Sequence, residues 1–128
     1  MSLEIQLNSN ILPLSSQEYL AETIFHEMLH AQFNHDSTAK SQYTQHMYVA
    51  QSWISTECTA LTTMFPTLTP KYANALILSG LSQINDKNPT YFASLISSYN
   101  LTTNDIITIV SGYKNNDLGT GCLGAKVK

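Results

Sequence analysis

Ala21-Glu22-Thr23-Ile24-Phe25-His26-Glu27-Met28-Leu29-His30-Ala31-Gln32 carries H-E-x-x-H inside a helical pattern, and the rest of the chain is organised around it. Spacing of i and i+4 puts the two imidazoles on one helical face, about 5–6 Å apart at Cβ, near enough to share one zinc ion. Glu27 lies about 100° round the helix from His26, so its carboxylate can stand beside the metal and act as a general base on water instead of binding the ion. Alternatively, the two histidines pack against neighbours on a buried helix while Glu27 points to water. A buried pair of imidazoles then still needs polar partners, which a metal supplies.

Upstream, Ser15-Ser16-Gln17-Glu18 reads as a capping box, with Ser15 as the cap and Glu18 three residues on, so the metal helix should start there. Tyr19, Leu20, Ile24, Phe25, Met28, Leu29 and Ala31 occupy more than one face, which predicts a helix enclosed by protein as far as about Phe33. Asn34 to Lys40 is a polar connection containing His35 and Asp36, both candidates for a third ligand. Asp36 has the spacing of a metzincin ligand, but position 33 is Phe where that pattern needs a glycine turn.

Downstream, Met47, Ala50, Trp53, Ile54, Leu61 and Met64 recur at helical spacing and predict one long helix from Gln42 to Phe65, stopped by Pro66. His46 shares its apolar stripe near the helix start. Antiparallel packing across the short connection brings His46 beside His26 and His30, which makes it the preferred third ligand. Glu57 lies on the same stripe and is the alternative, as the glutamate ligand of a gluzincin. Eleven residues at 1.5 Å rise separate His46 from Glu57 by roughly 16 Å, so the two cannot bind one ion together. A straight helix also carries Glu57 away from His30.

The remaining segments look like support. Leu3-Glu4-Ile5-Gln6-Leu7 alternates as a short strand would. Thr69-Pro70 opens a helix through Leu81, with Gly80 marking close packing; Asn88-Pro89 opens another through Ile96; Thr103 or Asn104 caps a last one through Val110. Leu118 to Gly124 is glycine-rich but has no preceding strand and no G-K-[ST], so it is expected to be an irregular tail. The expected fold is mainly α, a zincin-like α+β remnant of about five helices with at most a short N-terminal strand and the metal helix buried at the centre. Residues 1–128 are expected to form one domain, excised from a longer protein.

Composition narrows the partners. At 128 residues and 43% apolar content there is enough carbon for one core. Charged residues make up only 12%, the net charge is −3, and the basic residues are six scattered lysines with no arginine, which argues against a nucleic-acid partner. No apolar run reaches the roughly 18 residues of a membrane span, and the first residues show no basic region followed by an apolar core, so no export signal is expected in them. Cys58 and Cys122 are expected to be free thiols rather than a disulfide.

With Thr23-Ile24-Phe25-His26-Glu27-Met28-Leu29-His30-Ala31 and His46 in place, residues 15 to 55 resemble the SprT-like branch of minimal gluzincin-type zincins, the family that includes the Spartan proteases. Its pattern is H-E-x-[IL]-H-A on one helix and a third histidine about twenty positions beyond the first. The resemblance implies zinc held by His26, His30 and His46, Glu27 as the catalytic glutamate, and a peptide or protein substrate. The family's small sheet has room here for one strand at most, and Met47 follows His46 where glycine is usual. The basic DNA-binding segments of Spartan proteases have no counterpart, so no DNA-repair role is implied. Tyr43, Tyr48 and Tyr72 are candidates for stabilising an oxyanion.

Overall fold

The structure is a computed structural model that describes residues 15–36 and 41–120. Among them the regular elements are all helices: α1 (Gln17–Asp36), α2 (Gln42–Ser52), α3 (Ile54–Met64), α4 (Pro70–Ser79), α5 (Gln83–Lys87), α6 (Pro89–Ser98) and α7 (Thr103–Lys114). The mainly α expectation holds, with seven helices in place of about five. The expected strand at Leu3–Leu7 and the residue Cys122 lie outside the described residues.

Both added helices have a local cause. The run expected as one helix from Gln42 to Phe65 breaks at Trp53, which serves as the C-cap of α2 and the N-cap of α3. Its N–H still bonds the Val49 carbonyl, while φ −118° and ψ −11° turn the chain. The bend lets Val49 and Ile54 on its two sides both enter the core. Neither proline nor glycine marks the place, so periodicity runs straight through it. The short helix α5 has only Ile84 fully buried and too few residues to show a period.

Several helix starts follow the cap chemistry. Thr69 Oγ1 accepts from the Tyr72 N–H at 3.3 Å, and Asn88 Oδ1 accepts from the Tyr91 N–H at 3.2 Å, each ahead of a proline at the first helical position. Two caps are displaced by one residue from expectation. Thr102, not Thr103 or Asn104, caps α7 in a reciprocal box with Asp105. Ser16, not Ser15, caps α1 by accepting from the Tyr19 N–H at 3.2 Å.

Glu18 is therefore free of the capping box and does something else. It is almost fully buried, and its Oε1 accepts from the Thr120 N–H at 2.9 Å. The Ser16 N–H bonds the Tyr113 carbonyl at 2.9 Å and the Gln17 N–H bonds the Thr120 carbonyl at 2.6 Å, so the start of α1 is stitched to the last turn of α7 and to the segment after it. Gly119, at φ +83°, is required there: a Cβ would lie 2.7 Å from Glu18 Oε1 and 2.8 Å from the Tyr113 ring.

The core runs through Val49, Ile54, Leu61, Leu76, Leu78, Leu81, Ile84, Ile96 and Ile109. α4 packs against both α3 and α7 and buries Ala73 and the whole run from Ala75 to Leu78, so it, rather than α1 as expected, is the most enclosed element. α1 touches α2, α3, α4 and α7, but Met28, Gln32, Asn34 and His35 on its outer face are exposed.

Candidate metal centre

α1 and α2 lie against each other across the short connection, as expected, and bring three histidines to one point. His26 and His30 project from α1 one turn apart, and His46 projects from the second turn of α2. Their Nε2 atoms form a nearly equilateral triangle: His26 to His30 3.0 Å, His30 to His46 3.0 Å, and His46 to His26 3.2 Å. Tetrahedral zinc at about 2.0–2.1 Å from each ligand would hold nitrogens roughly 3.3–3.4 Å apart, so the triangle is close to the size a metal needs.

The outer nitrogens show which face of each ring is presented. His30 Nδ1 lies 2.5 Å from Gln45 Oε1, and His46 Nδ1 lies 2.8 Å from Gln83 Oε1. An amide oxygen only accepts, so with Gln45 and Gln83 oriented in this way both Nδ1 atoms carry the proton and both Nε2 lone pairs face inward. The same donor sense continues outward from Gln45, whose Nε2 donates to Asn34 Oδ1 at 2.7 Å. Only His26 is left to donate from Nε2, and one proton cannot satisfy both facing lone pairs at full strength. A cation at the centre would serve all three.

Electrostatics agree with that assignment. Burial, then the neighbouring His30 and His46 rings, pull His26 down to about 3. Burial and His30 likewise lower His46, partly offset by its bond to Gln83. Both rings are thus neutral near pH 7 with lone pairs available, the state in which imidazole binds metal.

Close approach of α4 closes the third side. A Cβ on Gly80 would lie 3.0 Å from His26 Nδ1 and 3.2 Å from Glu22 Oε1, so any larger residue at the end of α4 would press these two side chains aside by a few tenths of an ångström. Glu22, one turn before His26, is buried with Oε2 unpartnered. Its pKa is raised well above the usual carboxylate value by burial, then by Glu57 and Glu27.

Of the other candidates, Glu27 sits half-buried beside His26, close enough to Glu22 to act on it electrostatically. His35 is at the exposed end of α1 and Glu57 is on α3, both outside the three-histidine group. The side chain of Asp36 lies outside the described residues. Glu57 is not carried away along a straight helix as expected, since the bend at Trp53 returns it against α1, where it couples to Glu22. The tyrosines have other engagements: Tyr43 lies under Lys87 Nζ at 5.7 Å, Tyr48 packs edge-on to Phe33 at 5.8 Å, and Tyr72 edge-on to Tyr113 at 6.1 Å.

Sequence reasoning missed Gln45, Gln83, Asn34 and Glu22. Glu22 and Gln45 had a faint signal, one a helical turn before His26 and the other adjacent to His46. Gln83, which is 37 residues from His46, had none. Comparison of the chain with protein-family models, with curated proteins and with solved structures finds no match. What the geometry defines is a helical protein whose His26, His30 and His46 lie close enough to bind one metal ion.

Proposed function

We propose that this chain is a zinc-dependent metallopeptidase in which His26, His30 and His46 hold the ion and Glu27 is the general base. The observation that carries the proposal is the convergence of three Nε2 atoms within 3.2 Å of one another, two of them with their tautomers set by glutamine oxygens. Three protein ligands leave a fourth corner of a tetrahedron open, the arrangement of catalytic rather than structural zinc. When bound there, zinc supplies a Lewis acid that polarises a peptide carbonyl and brings the pKa of water towards about 7.

The chain's own residues do the rest. Gln45 and Gln83 keep protons on the outer nitrogens of His30 and His46, so that both rings stay neutral donors of a lone pair. Glu27 accepts the proton of the attacking water and delivers it to the leaving amine nitrogen. The substrate is a peptide or protein. No helix among the described residues is long and apolar enough to cross a membrane.

A second function, a metal centre that ties α1 to α2 without turnover, is favoured by the near-complete burial of His46 and Gln45. Glu27→Gln separates the two. Metal content measured by X-ray fluorescence on protein purified without added metal should show one zinc per chain in the wild type and in Glu27→Gln, and none in His30→Ala. Peptide cleavage should be lost in Glu27→Gln. Cleavage unchanged in that variant removes Glu27 from the mechanism, and a wild type that holds zinc without cleaving any peptide establishes the second function.

A further inference from the structure

Gln45 is 3% exposed and meets α1 at two places with one amide group. Its Oε1 accepts from His30 Nδ1 at 2.5 Å, and its Nε2 donates to Asn34 Oδ1 at 2.7 Å. His30 and Asn34 stand one turn apart on α1, and His46 follows Gln45 directly on α2. Asn34 is exposed. A line of hydrogen bonds therefore runs from the metal centre through a buried amide to a side chain at the surface.

Each amide has a donor end and an acceptor end, so the same line can run in two senses. In one, the His30 Nδ1–H donates to Gln45 and the Gln45 Nε2–H donates to Asn34. In the other both amides are turned over: Asn34 donates to Gln45 Oε1, the Gln45 Nε2–H donates to His30 Nδ1, and the ring proton moves to His30 Nε2. That nitrogen lies 3.0 Å from the Nε2 atoms of both His26 and His46, where a metal needs a lone pair and not a proton. Only the first sense is competent. It requires an acceptor at position 34, because the Gln45 N–H is buried and an unmet buried donor is costlier than an unmet carbonyl. Without that acceptor, turning the Gln45 amide over gives its N–H a partner on His30 and puts the ring in the wrong tautomer.

We infer that Asn34 is a positioning residue for the metal centre: acting through Gln45, its side-chain oxygen holds the His30 proton on Nδ1 and keeps the His30 Nε2 lone pair turned towards His26 and His46. The consequence for zinc affinity rests on the metal binding proposed above; the tautomer of His30 does not. An aspartate at position 34 can only accept, so it retains the competent sense and removes the other. A leucine of similar size supplies no acceptor and releases it.

Two measurements on the full chain test the inference. Long-range ¹H–¹⁵N NMR of the metal-free protein, labelled in histidine, should show His30 with its proton on Nδ1 in the wild type and in Asn34→Asp, and a shift towards the Nε2–H tautomer in Asn34→Leu. A competition titration with zinc at high ionic strength, where charge at an exposed position is screened, should find Asn34→Asp at least as tight as the wild type. Asn34→Leu should bind zinc about 2–10-fold more weakly, the worth of one hydrogen bond. A purely structural role gives a different order. Leucine favours a helix more than asparagine does, and an acid in the last turn opposes the helix dipole, so urea unfolding in chelator should rank Asn34→Leu most stable and Asn34→Asp least. Zinc affinity that follows the order of stability, or a His30 tautomer unmoved in Asn34→Leu, overturns the inference. If the wild type binds no zinc, the proposed function fails, and the tautomer in the three proteins alone decides the role of Asn34.

Discussion

The two ends of α4 face different kinds of interior. Along its length, against α3 and α7, Ala73 and Ala75 to Leu78 bury only carbon side chains. At its C-terminal end, Gly80 meets α1 near a polar region in which Glu22, Gln45, His46 and Glu57 are buried and His26 is partly so. The first interior is held mainly by transfer of apolar surface from water, with Asn74 Oδ1 on α4 and Asn116 Oδ1 after α7 as isolated buried atoms without partners. The second crowds three ring nitrogens together and leaves Glu22 Oε2 and both Glu57 oxygens buried without partners, which costs stability.

The largest effect that tests this contrast is expected in the apolar half. Leu78→Ala should lower the free energy of unfolding in urea by about 2–5 kcal/mol, equally with zinc and with chelator. His30→Ala should do the opposite: little change in chelator, and loss of the zinc-dependent gain, which in the wild type should reach about 2.7 kcal/mol when free zinc exceeds its Kd a hundredfold. If Leu78→Ala also abolishes the zinc-dependent gain, the two halves are not separable.

A smaller effect is expected from the ring anchors. Gln83→Leu removes the acceptor for the His46 Nδ1–H and should weaken zinc binding by about 10–100-fold in a competition titration, with His46 still present. Unchanged affinity would mean that packing alone orients the ring.

The polar half should also show two opposed pH dependences in the metal-free protein. His26 is depressed from 6.5 to about 3, so the unfolded chain binds its proton more readily, and this group removes stability as pH falls below about 6.5. Glu57 is raised from 4.5 to about 7, so the folded chain holds its proton longer, and stability is lost as pH rises from about 4.5 through about 7. Glu57→Gln should therefore stabilise the protein by about 1–3 kcal/mol at pH 8 and by little at pH 4. A gain that is the same at both pH values would show that the carboxylate is not strained by burial. The smallest effect belongs to neither half: Thr102→Ala, which removes the cap of α7, should cost about 1 kcal/mol in thermal or urea unfolding without altering zinc binding.

Much of the candidate site was legible because helical spacing is a local property. His26, Glu27 and His30 are placed relative to one another by the backbone of α1, and His46 follows once the short connection forces α2 to pack back on α1. Pro70, Pro89 and their caps fixed two helix starts for the same reason. The break at Trp53 was not legible, since no residue there forbids a helix and only the joint burial of Val49 and Ile54 favours the turn. The capping role of Ser16 was hidden by Glu18, whose carboxylate is drawn to Thr120, 102 residues away.

By itself, the sequence determined a helical chain with two imidazoles one turn apart, a carboxylate beside them and a third histidine within reach, because those relations depend on rise per residue and loop length. Tertiary structure alone decided which nitrogens face inward, through Gln45 and Gln83, how closely α4 approaches at Gly80, and that Glu57 returns to α1 as an unpaired acid. Hydrogen-bond partners and burial are set by whichever surfaces meet, and residues far apart in the chain carry no local mark of that meeting.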